Sequence, residues 1–462
     1  MFEFTKRPKS AALAFIIAGA VWFIIGTFYG LFSAIHLMAP EFFNNIPALV
    51  FGRTRPIHIN TVLYGFVVST FIGTGLYYMP ALLKRNLWSE PLAWLSFFLW
   101  TLTVLSGPLT FSFGLSQGRE YQEYLWIFDV SLVLAVITLA INLVMTILRR
   151  VENYLYVSVW YFVSSFLWIG GSYFLGNVMW NPPSGALPGI LDSVFLWFYG
   201  HVLPGLLLTP LSIGAAYFVI PRVTKTPLYS HTLSILGFWT LVTFYSHIGG
   251  HHLLQAPIPA WIKTISVVDS MLMFIPVLIV IVNLWMTWRR KEGMLFRDVA
   301  GKWVALGIFW YLVVGAQGSL QSLPMVQKIT HFNNWVIGHA HIAILGFSGF
   351  IAIGTVWHVL PLITGKRLYS KRLADLQFIF VMIGLTGFFA VLTAAGLIQG
   401  ESWFNGETVY RTLPQLNVYM ALRAMFGLFI IAGAILNLYN ILMTVRKRKA
   451  VEEAEPIKVV EV

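Results

Sequence analysis

His58, His201, His251, His252, His339 and His341 lie in or at the ends of long apolar stretches of this chain. An imidazole is costly in a hydrocarbon environment, so histidines placed there are read first as functional. His339 and His341 stand two residues apart in Gly338-His339-Ala340-His341. On an α-helix that spacing is about 200° of rotation, so the two rings leave opposite sides. They cannot chelate one metal, but each can ligate a different planar cofactor. A low-spin haem needs two axial ligands, commonly histidine, and His58 is the candidate for the second. Two buried histidines with hydrogen-bonded partners would explain the pair alone equally well.

His251 and His252 close the stretch Tyr245-Ser246-His247-Ile248-Gly249-Gly250-His251-His252. Adjacent helical residues differ by about 100°. These two can share one metal if the helix end frays or a third ligand closes the site, and Gly249-Gly250 loosens the backbone before them. His201, behind Trp197-Phe198-Tyr199-Gly200, can be that ligand. Imidazoles from two segments suit copper, zinc or iron, and the scarcity of carboxylate disfavours magnesium or calcium there. His247, four residues before His251, would share its helical face. Support of the site or contact with water is expected of it rather than ligation.

The elements that must position these rings are membrane spans. The 462 residues are 58% hydrophobic and 10% charged, with mean hydropathy +0.76. Soluble domains carry about 25% charged residues, so this composition cannot build a water-facing surface. Eighteen tryptophans and nineteen tyrosines fit aromatic belts at two membrane interfaces. A span takes roughly 20 apolar residues. Twelve stretches qualify, near 11–36, 56–82, 91–113, 124–148, 154–180, 187–220, 231–255, 260–288, 302–323, 333–363, 373–398 and 414–444. The chain therefore reads as one all-α domain over 1–462, a polytopic membrane protein of twelve transmembrane helices, with 446–462 as a charged tail. No internal repeat stands out.

The formal charge is +12, but the basic residues sit in short runs between apolar segments. That is how topology signals look, and it argues for a lipid bilayer and against nucleic acid. With twelve spans both termini share a side, and that side collects 23 of the 30 lysines and arginines. The positive-inside rule makes it cytoplasmic. Five of the six histidines then belong to the outer part of the bilayer, with His201 deeper. There is no cysteine, which excludes disulfides, iron–sulfur ligation, thiolate-bound copper and the covalent attachment of c-type haem.

Taken together, the chain resembles the catalytic subunit of the haem–copper oxidases, most closely the C family, the cbb3-type cytochrome c oxidases. The resemblance rests on Arg-Pro-Ile-His ending at His58, Trp-Phe-Tyr-Gly-His ending at His201, Tyr245 to His252, and Gly-His-Ala-His ending at His341. It runs through essentially all twelve spans and reaches Arg423. It implies a haem–copper oxidase subunit I bundle in a bacterial or archaeal cytoplasmic membrane, with both termini cytoplasmic. It also implies reduction of dioxygen to water, with electrons from membrane-anchored c-type cytochrome subunits, proton uptake from the cytoplasm and proton pumping. Residue by residue, it implies that His58 and His341 ligate a low-spin haem b and His339 a high-spin haem b. His201, His251 and His252 would hold the copper facing it. Tyr245 matches the tyrosine that this family links covalently to the copper-ligating histidine of span six, a phenol able to supply an electron and a proton. In Gly118-Arg119-Glu120-Tyr121-Gln122-Glu123, Glu120 matches a glutamate that helps bind a calcium bridging the haem propionates. Arg55 and Arg423 are candidates to pair with those propionates.

One departure is Gln317, where the family carries a glutamate near the proximal haem ligand; it removes the carboxylate expected to bond that histidine. A nitric oxide reductase of the same superfamily is the nearest alternative. Those enzymes put non-haem iron in place of copper and a glutamate about four residues after the span-six histidine, where this chain has Gly205. A transporter using histidines as proton relays gives no reason for His339 and His341 to bracket a helix. Protons must reach the site from the cytoplasm. Ser234, eleven residues before Tyr245, and Ser212, eleven after His201, lie about 20° from those residues' faces, three turns down. With Tyr229 and Ser230 at the entrance they sketch a path to Tyr245. Hydroxyls also occur in membrane helices merely to bond the preceding turn.

Overall fold

In a computed structural model that describes residues 5, 7–43, 45–182 and 186–447, every regular element is helical. The twelve main helices are α1 (Ser10–Met38), α2 (Phe51–Leu82), α3 (Glu90–Ser112), α4 (Trp126–Leu148), α5 (Val157–Gly176) and α6 (Ile190–Thr224). They continue with α7 (His231–Tyr245), α8 (Ala260–Trp288), α9 (Val299–Gln321), α10 (Asn334–Thr364), α11 (Lys371–Phe404) and α12 (Val409–Arg446). Among the described residues ten are long and apolar enough to cross a membrane; α5 falls short in hydropathy and α7 in length. The bundle is turned inside out relative to a soluble one. On α3, Phe98, Leu102, Leu105 and Leu109 are exposed at helical spacing, while Ser96, Trp100 and Thr103 are buried.

The expected limits hold within a few residues for most spans, with one informative failure. The span placed at 231–255 ends its α-helix at Tyr245, and the chain continues as a 3₁₀ turn over Ile248–Leu253. Gly249 explains the break. A Cβ on it would lie 2.3 Å from the Trp197 carbonyl oxygen, so the turn packs backbone to backbone on α6. Arg446 closes α12, and the tail beyond residue 447 lies outside the described residues.

α2, α6 and α10 share a further feature. Each winds as a π-helix for part of its length, over Thr61–Val68, Leu203–Leu208 and Ile342–Gly349. Each of these segments follows directly on the helical turn that carries His58, His201 or His341. Widened turns of this kind gather at functional sites.

The expectation of no internal repeat is wrong. Asn142 Oδ1 accepts from the Ser89 N–H at 3.0 Å while its Nδ2 donates to the Ser89 carbonyl at 2.7 Å, and Thr146 Oγ1 accepts from the Trp88 N–H at 3.0 Å. Asn283 and Thr287 do the same for Ser230 and Tyr229, at 2.9, 2.8 and 3.0 Å. Asn440 and Thr444 do it for Ser370 and Tyr369, at 3.1, 2.9 and 3.0 Å. In all three the serine hydroxyl also caps the helix it opens. The underlying sequence is Leu-Trp/Tyr-Ser-x-x-Leu, answered by Asn-Leu/Ile-x-Met-Thr. Nine residues before each serine stands a proline: Pro80, Pro221 and Pro361. Four residues after each proline the chain turns through positive φ, at Lys84, Lys225 and Gly365. Three four-helix units follow one another, clasped at the end of the bundle where α1 begins and α12 ends.

Replacing a clasp asparagine leaves a backbone N–H and a carbonyl without partners, a cost of about 1–3 kcal/mol per buried group. Asn142→Leu and Asn440→Leu should each lower the unfolding midpoint of the detergent-purified protein by a readily measured amount. The histidine end of the bundle should keep its ligand-binding properties. An unchanged midpoint in both would show that the clasps contribute nothing to stability.

Candidate metal and cofactor centre

α6 and the turn after α7 bring His201, His251 and His252 together, with one nitrogen from each within 4.8 Å of the others. His251 Nδ1 lies 2.7 Å from Ser270 Oγ, and that hydroxyl gives its own proton to the Ser266 carbonyl at 2.6 Å. The serine therefore accepts, the His251 proton sits on Nδ1, and Nε2 keeps a lone pair for a metal. His252 lies flat on Trp197, ring centres 4.0 Å apart and planes 10° apart. His201 Nδ1 is buried without a hydrogen-bond partner, an orphaned acceptor that a metal would satisfy. The three rings fit a copper-sized ion. His247 does not share a face with His251, because the helix has already ended. Its side chain is 52% exposed and its Nδ1 lies 3.2 Å from Asp269.

His58 and His341 face each other with ring centres 6.1 Å apart and planes within 18°. Two imidazoles on one iron, at about 2 Å per metal–nitrogen bond and roughly 1 Å from nitrogen to ring centre, span roughly 6 Å. The far nitrogen of each ring is held by backbone. His58 Nδ1 donates to the Gly26 carbonyl at 2.7 Å and His341 Nδ1 to the Ile337 carbonyl at 2.8 Å. A carbonyl can only accept, so both rings carry their proton on Nδ1 and present Nε2 to the gap. Gly30 makes room, since a Cβ there would meet the His58 ring at 2.7 Å.

His339 leaves the other side of α10, as its spacing from His341 requires. Its Nδ1 lies 3.2 Å from Gln317 Oε1 on α9, and its ring runs parallel to Trp335. The hydrogen bond that the missing carboxylate put in question is thus made by the amide oxygen of Gln317. One cavity of about 670 Å³ passes from the His58–His341 gap to the space among His339, His201, His251 and His252. Either end can take a planar group.

Tyr245 ends α7 with its ring 5.2 Å from that of His201. It occupies space that exists only because residue 205 is glycine. A Cβ on Gly205 would lie 1.7 Å from Tyr245 Cε1. The glutamate that the nitric oxide reductase reading requires at this position would collide with the phenol.

Residues 10–429 match the family described as Cytochrome C and Quinol oxidase polypeptide I. The chain belongs to that family. It is 28% identical to the cytochrome c oxidase subunit 1 homolog of Agrobacterium tumefaciens, over 93% of this chain and 82% of that one. It is 27% identical to the cbb3-type cytochrome c oxidase subunit CcoN1 of Stutzerimonas stutzeri, over 95% of each. Its fold is that of a heme-copper terminal oxidase dimer solved by cryo-EM, with TM-score 0.81 and 17% identity over 96% of this chain and 85% of that one.

The remaining residues of interest in this family member divide sharply. Arg423 lines the cavity with its Nε buried and unpartnered, as a site for an anionic group would have it. Arg55 instead forms a two-point pair with Glu120, at 2.6 and 3.2 Å. Both oxygens of Glu120 are thus already on a cation. Among the proposed path residues, Ser212 and Ser234 donate to the carbonyls of Leu208 and His231 in their own helices. Ser230 belongs to the second clasp, and Tyr229 is exposed at the surface. Sequence inspection missed Tyr217 and Asn283. The Asn283 amide bonds the Ser230 backbone and also donates to the buried Tyr217 hydroxyl at 3.3 Å. The recurrence of Asn-x-x-x-Thr was the signal that could have found Asn283.

Loading the purified protein with copper should give one ion per chain by elemental analysis. His201→Ala, His251→Ala and His252→Ala should each lose it, and His247→Ala should not. Copper lost from His247→Ala and kept in His252→Ala would reassign the cluster.

Proposed function

We propose that this chain is the catalytic subunit of a cbb3-type terminal oxidase that reduces dioxygen to water. The observation that carries the reading is the three-histidine group with the Tyr245 ring against His201, in the space that Gly205 leaves, on the same cavity as His339. In this reading His58 and His341 hold a low-spin haem b, His339 a high-spin haem b, and His201, His251 and His252 a copper. When bound, these groups supply electrons to dioxygen and the place where it reacts. The chain's own residues do the rest. Nδ1–H bonds to Gly26, Ile337 and Ser270 keep three ligand rings aimed at the cavity. Gln317 holds the His339 ring through a neutral acceptor. Trp197 fixes the plane of His252.

Tyr245 holds a proton on its phenol beside the copper ligands, where breaking the oxygen–oxygen bond needs one. The supply runs from the cytoplasmic side through Tyr229 and Ser230, then Asn283 and Tyr217, with Ser234 and Ser212 along the way. Their hydroxyls donate locally and still offer lone pairs to water. Both termini are cytoplasmic, and proton pumping accompanies the reaction. Arg423 pairs with a haem propionate. Glu120, with Arg55 as its present counter-charge, is the candidate for a bridging calcium. Electrons come from membrane-anchored c-type cytochrome subunits, since a chain without cysteine cannot attach a c-type haem itself.

Nitric oxide reduction is the second reading, and Gly205 is the observation against it. Optical spectra with metal analysis should give two b-type haems and one copper per chain. Non-haem iron without copper would decide for the reductase. Tyr245→Phe keeps the ring and nearly all of its packing, so haem and copper content should persist. Steady-state oxygen reduction should fall at least about tenfold, or about 1.4 kcal/mol of barrier. Nitric oxide turnover, a two-electron reaction, should suffer much less. Undiminished oxygen reduction by a fully metallated Tyr245→Phe enzyme would remove Tyr245 from the mechanism.

A further inference from the structure

The threefold repeat puts the ligand positions in register. Counting back 22 residues from the repeat prolines gives His58, Tyr199 and His339; counting back 20 gives Asn60, His201 and His341. The pairing is cyclic. His58 of the first unit faces His341 of the third, and His339 of the third shares its cavity with His201 of the second. The remaining pair is Tyr199 of the second unit and Asn60 of the first. By the symmetry of the bundle this is a third centre equivalent to the two histidine centres.

It is built quite differently. The large cavity does not reach it; Asp129, Tyr124, Tyr173 and Tyr199 do not line that space. Side chains fill it instead. The Tyr199 hydroxyl bonds that of Tyr64, and the edge of the Tyr173 ring meets Tyr199, with centres 5.3 Å apart. Tyr173 donates to Asp129 Oδ1 at 2.5 Å, and Gln117 donates to the other oxygen. Asn60 Nδ2 donates to Glu123 Oε2 at 2.8 Å. Asp129 and the four tyrosines, including Tyr124, have no exposed surface, and Glu123 is 4% exposed. Asn60 Oδ1 and the Tyr124 hydroxyl are among the polar atoms of this centre that are buried without a hydrogen-bond partner.

Neither carboxyl has a basic partner within salt-bridge distance among the described residues. Arg119, the cation that acts on Asp129, is bonded to Asp192 and the Gly176 carbonyl. Arg55, near Glu123, is taken by Glu120. A buried carboxylate without a counter-charge is costly, so such a group tends to hold a proton. Burial pushes the Glu123 carboxyl up to about 7. The charged and titratable groups that face Asp129 are Arg119, Tyr124, Tyr173 and Tyr199. None can neutralise it fully.

We propose that the third centre is a proton-binding site, a carboxyl–phenol cluster on Asp129. It takes up one proton when an electron enters the neighbouring centres and gives it back when the electron leaves. The electron stays on those centres. The proton comes from water and returns to water, and the bond made and broken is the carboxyl O–H. Asn60 and Tyr199, each two residues from a ligand histidine, place the cluster close enough to feel that electron's charge. The proposal rests on the reading that the histidine centres hold redox cofactors.

The test is the reduced-minus-oxidised infrared difference spectrum of the complete enzyme, with chemical reductant and no oxygen. A protonated-carboxyl band should be present and should shift in deuterium oxide. Asp129→Asn should abolish it while the visible haem spectrum stays normal. Tyr173→Phe, which removes the phenol that donates to Asp129, should shift the band without abolishing it. The same carboxyl band in Asp129→Asn with normal haem would overturn the proposal. If Asp129→Asn does not assemble, Tyr173→Phe decides alone: an unshifted band overturns the proposal. Absence of any haem from the unsubstituted protein would instead overturn the cofactor reading beneath it.

Discussion

The three asparagine clasps set the frame on which the rest of the bundle hangs. In a membrane interior an unpaired backbone group has no water to turn to, yet every helix start leaves such groups exposed. Here each unit hands the backbone of the serine that opens its third helix to an asparagine on the fourth. That fixes the height of the third helix against the fourth. The proline nine residues earlier fixes where the second helix stops. The second helix of each unit carries His58, His201, or His339 and His341, so a constraint at one end of the molecule sets the depth of these rings at the other.

At that other end the same scarcity of water selects tautomers. The Gly26 and Ile337 carbonyls and the Ser270 hydroxyl each accept a hydrogen bond from an imidazole, and each ring is left with one nitrogen facing the cavity. Gln317 extends the pattern to His339. An amide oxygen in place of a carboxylate still orients the ring, but adds no negative charge behind it. The interior thus achieves ligand geometry with neutral acceptors, which is economical where buried charge is costly.

The opposite-facing pair His339 and His341 was legible from spacing alone, because helical rotation is insensitive to surroundings. The membrane class was legible for the same reason, composition being a property of the whole chain. The end of α7 was not. Gly249-Gly250 marked a loose backbone, but the carbonyl of Trp197 on which the turn packs is distant in sequence. The role of Gly205 was equally hidden, since its meaning depends on the ring of Tyr245 forty residues later. The repeat was written in the sequence and escaped notice because its conserved marks are short and lie about 140 residues apart. The spacing that placed Ser212 and Ser234 on a common face did not show that each hydroxyl donates within its own helix, the ordinary use of a hydroxyl in a span. The acid–phenol cluster draws on α2, the loop before α4, and α4 to α6, and only the fold assembles it.

The contact between Gly205 and Tyr245 has a consequence for descent. With the Tyr245 ring where it lies, a side chain at 205 has no room, so a tyrosine and a glutamate at these positions could be held together only if one of them moved. A lineage moving from one chemistry to the other must change both positions. In the present arrangement the phenol has to move before anything larger than hydrogen fits at 205. The two arrangements are thereby held apart by the volume of one methyl group.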